Sequence, residues 1–175
     1  MLTAKQVGEI LNQVGQIPGA AGLDYLIQNA AITLPGDGDN SLTLEASSFN
    51  DIMSTNVLGP ALIMKHMHPH LTKSFRPVIA NLTSGLASIP KDFGARSTSY
   101  SISKAALNML THKQAKTCPE MIVVAVHPAW IKTDMGTDKA PLEPGHVASE
   151  MIQLLQNVTL SDSGKFMRYD GADVI

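Results

Sequence analysis

The chain has 175 residues, with 13 lysines and arginines against 15 aspartates and glutamates, which gives a formal charge of −2. This length predicts one domain whose core is large enough to need no disulfide bond. Apolar residues make up 44% of the chain and charged residues 16%, which excludes intrinsic disorder. The near-neutral charge balance argues against a nucleic-acid-binding protein. Cys118 is the single cysteine, which excludes an internal disulfide and a multi-cysteine metal site.

The chain shows no targeting or membrane segment. Its first residues, Met1–Gln6, contain no basic stretch followed by an apolar stretch. No run of residues approaches the roughly 18 apolar residues that a membrane span requires. A single cysteine suits a reducing compartment. We therefore expect a cytoplasmic protein that does not associate with membranes.

Apolar periodicity predicts helices and strands in strict alternation. The first element is a helix in which Val7, Ile10, Leu11 and Val14 recur at positions i, i+3, i+4 and i+7. The predicted elements after it are strand Asp24–Ala30, helix Phe49–His66, strand Pro77–Thr83, helix Ser99–Lys116, strand Met121–Val126, helix Glu143–Gln156 and strand Lys165–Tyr169. A loop rich in glycine, aspartate and serine, residues 33–48, follows the first strand. The alternation predicts an α/β fold with about four parallel strands and helices on both faces of the sheet.

Tyr100 and Lys104 lie four residues apart on a predicted helix, so their side chains share one face. A phenol ordinarily has a pKa near 10, and a nearby ammonium lowers that pKa, so the pair can serve as a proton-transfer unit. Such pairs are also common on solvated helices. Ser84 directly follows a predicted parallel strand, where α/β sheets bind their ligands. Its hydroxyl can bind a carbonyl oxygen, although a turn-forming serine before Gly85 is the simpler interpretation.

Five short motifs occur in order along these predicted elements. They are Asn29-Ala30-Ala31, Asn56-Val57-Leu58-Gly59, Thr83-Ser84-Gly85, Tyr100-Ser101-Ile102-Ser103-Lys104 and His127-Pro128-Ala129-Trp130-Ile131-Lys132-Thr133. Together they resemble the short-chain dehydrogenase/reductase family, in particular its carbonyl-reductase-like members, over nearly all of the chain. The resemblance implies a Rossmann-like, doubly wound parallel sheet. It also implies an oxidoreductase that uses NADP or NAD, with NADP favoured, to reduce a small carbonyl compound or oxidise an alcohol.

The resemblance assigns a role to each catalytic candidate. Tyr100 corresponds to the acid/base that exchanges a proton with the substrate oxygen. Lys104 corresponds to the residue that lowers the pKa of Tyr100 and binds the nicotinamide ribose. Ser84 corresponds to the hydroxyl that orients the carbonyl. Asn56 corresponds to the helix asparagine that holds a water leading protons to Lys104.

The resemblance also implies cofactor contacts and self-association. Asn29 corresponds to the turn beside the adenosine ribose, and Ile131 and Thr133 fall in the loop that contacts the nicotinamide carboxamide. In the family, the helices at Phe49–His66 and Ser99–Lys116 pack against their copies in a partner subunit. We therefore expect a homo-oligomer.

The chain departs from the family pattern in three places. Ala31 and Ala129 stand where the family has glycine, which matters if the backbone φ is positive there. The glycine-rich turn Thr-Gly-x-x-x-Gly-x-Gly does not occur in the sequence. We therefore expect residues 1–175 to form a single Rossmann-like domain without its first βαβ portion. We expect Met1–Asp24 to be the interior of a longer reading frame, and Tyr25–Gln28 to form an exposed sheet edge.

Two other functions fit the same residues. A chain without the glycine-rich turn could be a truncated, inactive member that acts at most as an interaction module. An epimerase or dehydratase on the same scaffold also remains open, because a fold does not fix a function. The histidines His66, His68 and His70 surround Pro69, which is expected to interrupt the helix there, so we predict a solvated helix end and no metal.

Overall fold

The computed structural model describes residues 22–36, 38–172 and 174. The predicted helix that contains Val7, Ile10, Leu11 and Val14 lies outside these residues. The elements in chain order are β1 (Tyr25–Gln28), α1 (Ala46–Met53), a π-helical segment (Ser54–Leu58), α2 (Gly59–Leu71), β2 (Val78–Leu82), a 3₁₀ turn (Gly85–Ala87), α3 (Thr98–Thr117), β3 (Ile122–His127), α4 (Pro144–Asn157), a second 3₁₀ turn (Leu160–Asp162) and β4 (Phe166–Arg168). These bounds confirm the predicted alternation of helices and strands.

The described strands form one sheet in the order β1-β2-β3-β4, and every neighbouring pair is parallel. β2 and β3 lie in the middle, and all of β2 and nearly all of β3 is buried, as is typical of parallel strands covered on both faces. β1 lies at an edge of this sheet, and its Tyr25 and Ile27 side chains are exposed. The predicted exposed edge is therefore present among the described residues.

Helices cover both faces of the sheet, as the alternating pattern predicts. Successive side chains of a strand point to opposite faces, so β2 and β3 each contribute to two apolar clusters. The first cluster joins Val78, Ala80, Leu82, Ile122, Val124, Val126 and Met167 to Leu155 and Val158 at the end of α4. The second cluster joins Ile79, Met121 and Val123 to Met64, Met67 and Leu71 of α2 and to Ala115 and Cys118. The structure is a Rossmann-like α/β fold.

The helical stretch predicted for Phe49–His66 differs from the prediction at both ends. It begins at Ala46, inside the predicted loop, and continues to Leu71. The prediction that Pro69 interrupts the helix is wrong, because α2 passes through it. Proline lacks an N–H, so the lost bond is the one to the carbonyl of Lys65. Lys65 is exposed, and water can bind that carbonyl instead.

A π-helical segment interrupts this stretch between Ser54 and Leu58, and the sequence analysis does not foresee it. Single π-turns inside helices are frequent at functional sites. Pro60 gives a local cause, because it has no N–H to donate to the carbonyl of Asn56, four residues earlier. The backbone carbonyl of Asn56 thus lacks the amide partner that an α-helix would supply.

Within the described ranges, the helices are too short or too polar to cross a lipid bilayer.

Candidate active site

Ser84, Tyr100 and Lys104 come together where β2 ends and α3 begins. Ser84 lies two residues past the end of β2, and the two other residues lie in the first two turns of α3. The Ser84 hydroxyl lies close enough to the Tyr100 phenol to lower its pKa. The Ser84 Oγ also accepts the Leu86 N–H at 3.2 Å, which fixes the serine side chain. Lys104 Nζ lies 5.5 Å from the centroid of the Tyr100 ring.

Lys104 is almost fully buried, with 2% of its surface exposed. Its Nζ donates a hydrogen bond to the Leu82 carbonyl at 2.7 Å, at the last residue of β2. The Thr83 hydroxyl holds the Lys104 backbone carbonyl at 3.2 Å, which ties this turn of α3 to the end of the strand. Burial lowers the pKa of Lys104 to about 8, because desolvation disfavours the ammonium.

The pKa of Tyr100 moves in the opposite direction from the sequence expectation. Burial raises the pKa of the phenol, and the hydrogen bond from Ser84 only partly opposes that rise. The expectation that Lys104 lowers this pKa is not met here. Its ammonium is bonded to the Leu82 carbonyl and faces the ring at 5.5 Å instead of contacting the phenol oxygen. At neutral pH, Tyr100 is therefore a protonated phenol, able to donate a proton.

Asn56 lies in the π-helical segment and is fully buried. Its Oδ1 accepts the Ile32 N–H at 2.8 Å, and its Nδ2 donates to the Ile32 carbonyl at 2.9 Å. The same Nδ2 donates to Ser103 Oγ at 3.0 Å, and Ser103 Oγ donates to the Tyr100 carbonyl at 2.7 Å. Asn56 thus connects the loop after β1 to the turn of α3 that carries Tyr100. Ser103 is a residue that the sequence analysis missed, although it lies three residues after Tyr100 on the same helix face.

Asp39 supports the start of α3, and the sequence analysis missed it as well. Its Oδ1 accepts the Ser99 N–H at 3.0 Å, its Oδ2 accepts the Ser99 hydroxyl, and its backbone carbonyl accepts the Thr98 N–H at 3.1 Å. Burial alone would raise the pKa of Asp39, but the hydrogen bonds from Ser99 and Thr98 lower it overall. Asp39 therefore stays ionised and satisfies the first amides of the helix that carries Tyr100.

The loop after β3 begins with a histidine that stays neutral. Burial lowers the pKa of His127 to about 4, and the positive charges of Lys91 and Arg168 contribute to the shift. Its Nδ1 accepts the Ala129 N–H at 3.2 Å. Ala129 has a φ of +68°, in the left-handed region, so the missing glycine matters at this position. Ala31 is not among the described residues with a positive φ, so its substitution causes no backbone strain.

Ile131 and Thr133 lie in the same loop, beyond the carboxyl end of β3. Ile131 forms an isolated bridge with Leu142. Thr133 Oγ1 accepts the Gly136 N–H at 3.0 Å, and Trp130 Nε1 donates to the Gly136 carbonyl at 2.6 Å. The loop therefore has a defined shape. Because parallel strands end at the same edge of a sheet, it lies on the same side as Ser84.

Asn29 is exposed and directly follows β1, so it also lies at the carboxyl edge of the sheet. Hydrogen bonds through Ser103 connect Asn56 to Tyr100, the ring contact connects Tyr100 to Lys104, and Ser84 lies close to the Tyr100 phenol. Asn29 shares that edge without a hydrogen bond to this set.

The residues at this edge fit one half of a nicotinamide cofactor. An ammonium has three N–H donors, and the Leu82 carbonyl takes one from Lys104, which leaves two donors in a buried position. Ribose hydroxyls are suitable acceptors for them. In the ranges 22–36 and 38–172, no strand is followed by a glycine-rich turn that opens a helix, the usual cradle for a diphosphate.

Comparison with known proteins gives consistent matches. The family model described as short chain dehydrogenase matches residues 2–143. C-signal from Myxococcus xanthus is 30% identical over 156 residues, covering 87% of this chain and 92% of that protein. An NADPH-dependent pterin aldehyde reductase from Arabidopsis thaliana is 31% identical over 152 residues, covering 82% of this chain and 60% of that protein.

Solved structures of carbonyl reductases have the same fold. The carbonyl reductase Sniffer of D. melanogaster matches with a TM-score of 0.91 and 26% identity, covering 98% of this chain and 73% of that one. The NADPH-bound carbonyl reductase from chicken fatty liver matches with a TM-score of 0.90 and 29% identity over the same shares of both chains. These matches confirm the family that the five motifs indicate and the predicted Rossmann-like sheet. The chain belongs to the short-chain dehydrogenase family.

Proposed function

We propose that this chain is an NAD(P)-dependent oxidoreductase that interconverts a small carbonyl compound and its alcohol. The observation that carries the proposal is the buried ammonium of Lys104, 5.5 Å from the centroid of the Tyr100 ring, with the Ser84 hydroxyl close to the phenol of Tyr100. NADP is the favoured cofactor, because the chicken carbonyl reductase is NADPH-bound and the Arabidopsis reductase is NADPH-dependent. A cytoplasmic location belongs to this proposal and is supported by the free thiol of Cys118.

In the reductive direction, Tyr100 is the general acid. The chemistry that a nicotinamide cofactor would supply here is hydride transfer to the carbonyl carbon, and the negative charge developing on the substrate oxygen would need a proton. Tyr100 can deliver that proton, since its raised pKa keeps the phenol protonated at neutral pH. Ser84, fixed by the Leu86 N–H, binds the same oxygen and orients it toward Tyr100. Lys104, whose ammonium lies 5.5 Å from the ring centroid, serves cofactor binding and the return of a proton to Tyr100.

Proton return to Tyr100 is the proposed role of Asn56. Pro60 leaves the Asn56 backbone carbonyl without its helical amide partner, and a carbonyl in that state can bind a water. Such a water would pass protons toward Lys104. The Asn56 side chain is already bonded to Ile32 and Ser103, so it orients this carbonyl and does not itself touch substrate.

Cofactor binding is proposed for residues along the same sheet edge. Lys104 would bind the nicotinamide ribose through its two remaining N–H donors. Ile131 and Thr133 would contact the nicotinamide carboxamide from the loop after β3. Asn29, exposed after β1, would lie beside the adenosine ribose.

Replacing Tyr100 by Phe tests the assignment, since only the phenolic oxygen is lost. We expect kcat for NADPH-dependent reduction of carbonyl compounds to fall by about a hundredfold or more, the usual contribution of general acid catalysis. Tyr25→Phe is the matched control, because it removes the same phenolic oxygen from an exposed tyrosine on β1. It should leave kcat unchanged. Reductase activity that survives undiminished in Tyr100→Phe would refute the role of this residue.

The second candidate function is an interaction module without turnover. The observation that favours it is the lack of a glycine-rich diphosphate turn after any strand of the described residues. Titration of the 175-residue chain with NADPH, followed by cofactor fluorescence, separates the two. Binding in the micromolar range supports the oxidoreductase, and the absence of binding up to millimolar NADPH supports the interaction module.

A further inference from the structure

Three side chains with metal-binding atoms meet at the end of the sheet opposite to Tyr100. They are His68, near the end of α2, Cys118, which caps the end of α3, and Glu120, in the turn before β3. A ring nitrogen of His68, Sγ of Cys118 and a carboxylate oxygen of Glu120 all lie within 4.8 Å of one another. Among the described residues this is the one group of three such side chains, and neither His66 nor His70 belongs to it.

The backbone holds two of these side chains in fixed positions. The Cys118 N–H donates to the Gln114 carbonyl at 2.9 Å, and the Met121 N–H donates to the Cys118 carbonyl at 3.0 Å, so the turn from α3 to β3 is tight. Cys118 is buried in the apolar cluster beneath α2 and α3, whereas His68 is half-buried and Glu120 is exposed.

The donor set matches the chemistry of zinc. Thiolate, imidazole and carboxylate are the side chains that bind Zn²⁺ in proteins, and a thiolate disfavours Mg²⁺ and Ca²⁺. Tetrahedral coordination places donor atoms about 3.5 Å apart, so no pair of donor atoms need approach by more than about 1.3 Å. Glu120 is exposed and His68 is half-buried, so both side chains have room to rotate. A solvent molecule completes the four ligands.

The local charge also suits a cation. The group combines a carboxylate with a thiol, and it contains no lysine or arginine. A divalent cation would replace the thiol proton and balance the carboxylate.

We propose that His68, Cys118 and Glu120 form a zinc site that links the end of α2 to the end of α3. The site lies at the amino ends of the parallel strands, whereas Ser84 and Tyr100 lie at the carboxyl ends. Zinc bound there would stabilise the fold without touching substrate or cofactor. The alternative is that Cys118 is an ordinary core thiol.

Titration of the chelator-treated full chain with Co²⁺ tests the site directly. We expect an absorption band from thiolate-to-cobalt charge transfer, which is lost in Cys118→Ser. His68→Gln and Glu120→Gln should each weaken Co²⁺ binding by at least about tenfold, the scale of a lost metal contact. His66→Gln and His70→Gln are matched controls and should bind like the parent chain. The absence of a charge-transfer band at millimolar Co²⁺ would overturn the proposal. So would a Co²⁺ affinity in His68→Gln and Glu120→Gln equal to that of the parent chain.

Thermal unfolding gives an independent readout that does not rely on the thiolate absorption band. At a free Zn²⁺ concentration of about a hundred times Kd, binding to the folded chain should raise Tm by about 5–10 °C. The shift should disappear in His68→Gln, whose half-buried side chain can be replaced without disturbing the core. Tyr100→Phe should keep the full shift, so a failure of the catalytic assignment and a failure of the zinc site are distinguishable. A Zn²⁺-induced shift of equal size in His68→Gln would contradict the site.

Discussion

Lys104 keeps an ammonium in a position where only 2% of its surface reaches solvent. A pKa lowered from 10.5 to about 8 corresponds to a cost of about 3 kcal/mol in the folded state at neutral pH. We expect Lys104→Met to raise the free energy of unfolding at pH 7 by about 1–3 kcal/mol, since the bond to the Leu82 carbonyl offsets part of this cost. The same substitution should abolish reductase activity. Urea unfolding measures the first effect, and Lys113→Met on the exposed side of α3 is the control.

The stability gained in Lys104→Met should depend on pH in one direction. Between the folded pKa of about 8 and the unfolded pKa of 10.5, the unfolded chain binds more protons than the folded chain. The cost of burying Lys104 is therefore complete below about pH 8 and disappears as the pH rises through that window. The difference in unfolding free energy between Lys104→Met and the parent chain should shrink accordingly. A difference that grows with pH would contradict the buried charge as its cause.

The backbone at Ala129 is strained, because its φ is unfavourable for a residue that has a Cβ. Its φ of +68° is one that glycine adopts freely and that costs other residues about 1–2 kcal/mol. We expect Ala129→Gly to raise the free energy of unfolding by about 0.5–1 kcal/mol, measured by urea unfolding. Ala148→Gly, at an exposed position inside α4, is the control and should lower it by about 1 kcal/mol. Loss of stability in Ala129→Gly would mean that the loop is not held in this conformation.

At the level of elements, α3 depends on a carboxylate outside its own sequence. Asp39 accepts the Ser99 N–H and hydroxyl, and hydrogen bonds at a helix start are worth about 1–2 kcal/mol. We expect Asp39→Asn to lower the free energy of unfolding by about that amount at pH 7. The amide group keeps one acceptor oxygen and replaces the other by an NH₂ group, which cannot accept a hydrogen bond from Ser99. Asp51→Asn, an exposed carboxylate on α1, is the control.

Acid should remove the Asp39 contribution. Because the folded-state pKa lies below the ordinary value of 3.8, the contribution is complete above that value and is lost as the pH falls through the folded pKa. The parent chain and Asp39→Asn should therefore converge in unfolding free energy in acid. A constant difference across that range would show that charge plays no part in the contact.

The elements themselves could largely be predicted from the sequence, because each strand and helix carries its own apolar period. Ser84, Tyr100 and Lys104 could also be predicted, since short motifs mark them. Asp39 and Ser99 lie 60 positions apart, and Asn56 and Ser103 lie 47 apart. No local pattern reports such contacts, which depend on how distant segments pack. The direction of the Tyr100 pKa shift was missed for the same reason, because it follows from burial.

At the level of the whole molecule, apolar side chains remain exposed on the helices expected to form an interface. Leu58 is 53% exposed, Ile102 42% and Met109 58%. Exposed apolar side chains on a helix surface suit a contact between subunits. We predict that the chain is a homo-oligomer in which α3 packs against its copy. Light scattering at tens of micromolar chain should detect it.

A charge placed on that face should dissociate the oligomer. We expect Met109→Lys to yield monomers, since burying an unpaired ammonium at an interface is costly. Ile152→Lys is the control, because Ile152 is equally exposed but lies on α4, on the other side of the sheet. A monomeric parent chain would contradict the prediction, as would equal dissociation by both variants.

A buried amide chain links β1, β2 and α3. Gln28 Nε2 donates to Asn81 Oδ1 at 3.0 Å, and Asn81 Nδ2 donates to Thr111 Oγ1 at 2.8 Å and to Gln114 Oε1 at 3.0 Å. If α3 opened only partly, these buried amide groups would lose their hydrogen-bond partners before water could replace them, which is costly. The helix is therefore expected to separate from the sheet in one concerted step. We therefore expect the turns of α3 that carry Tyr100 and Lys104 to open only together with the core.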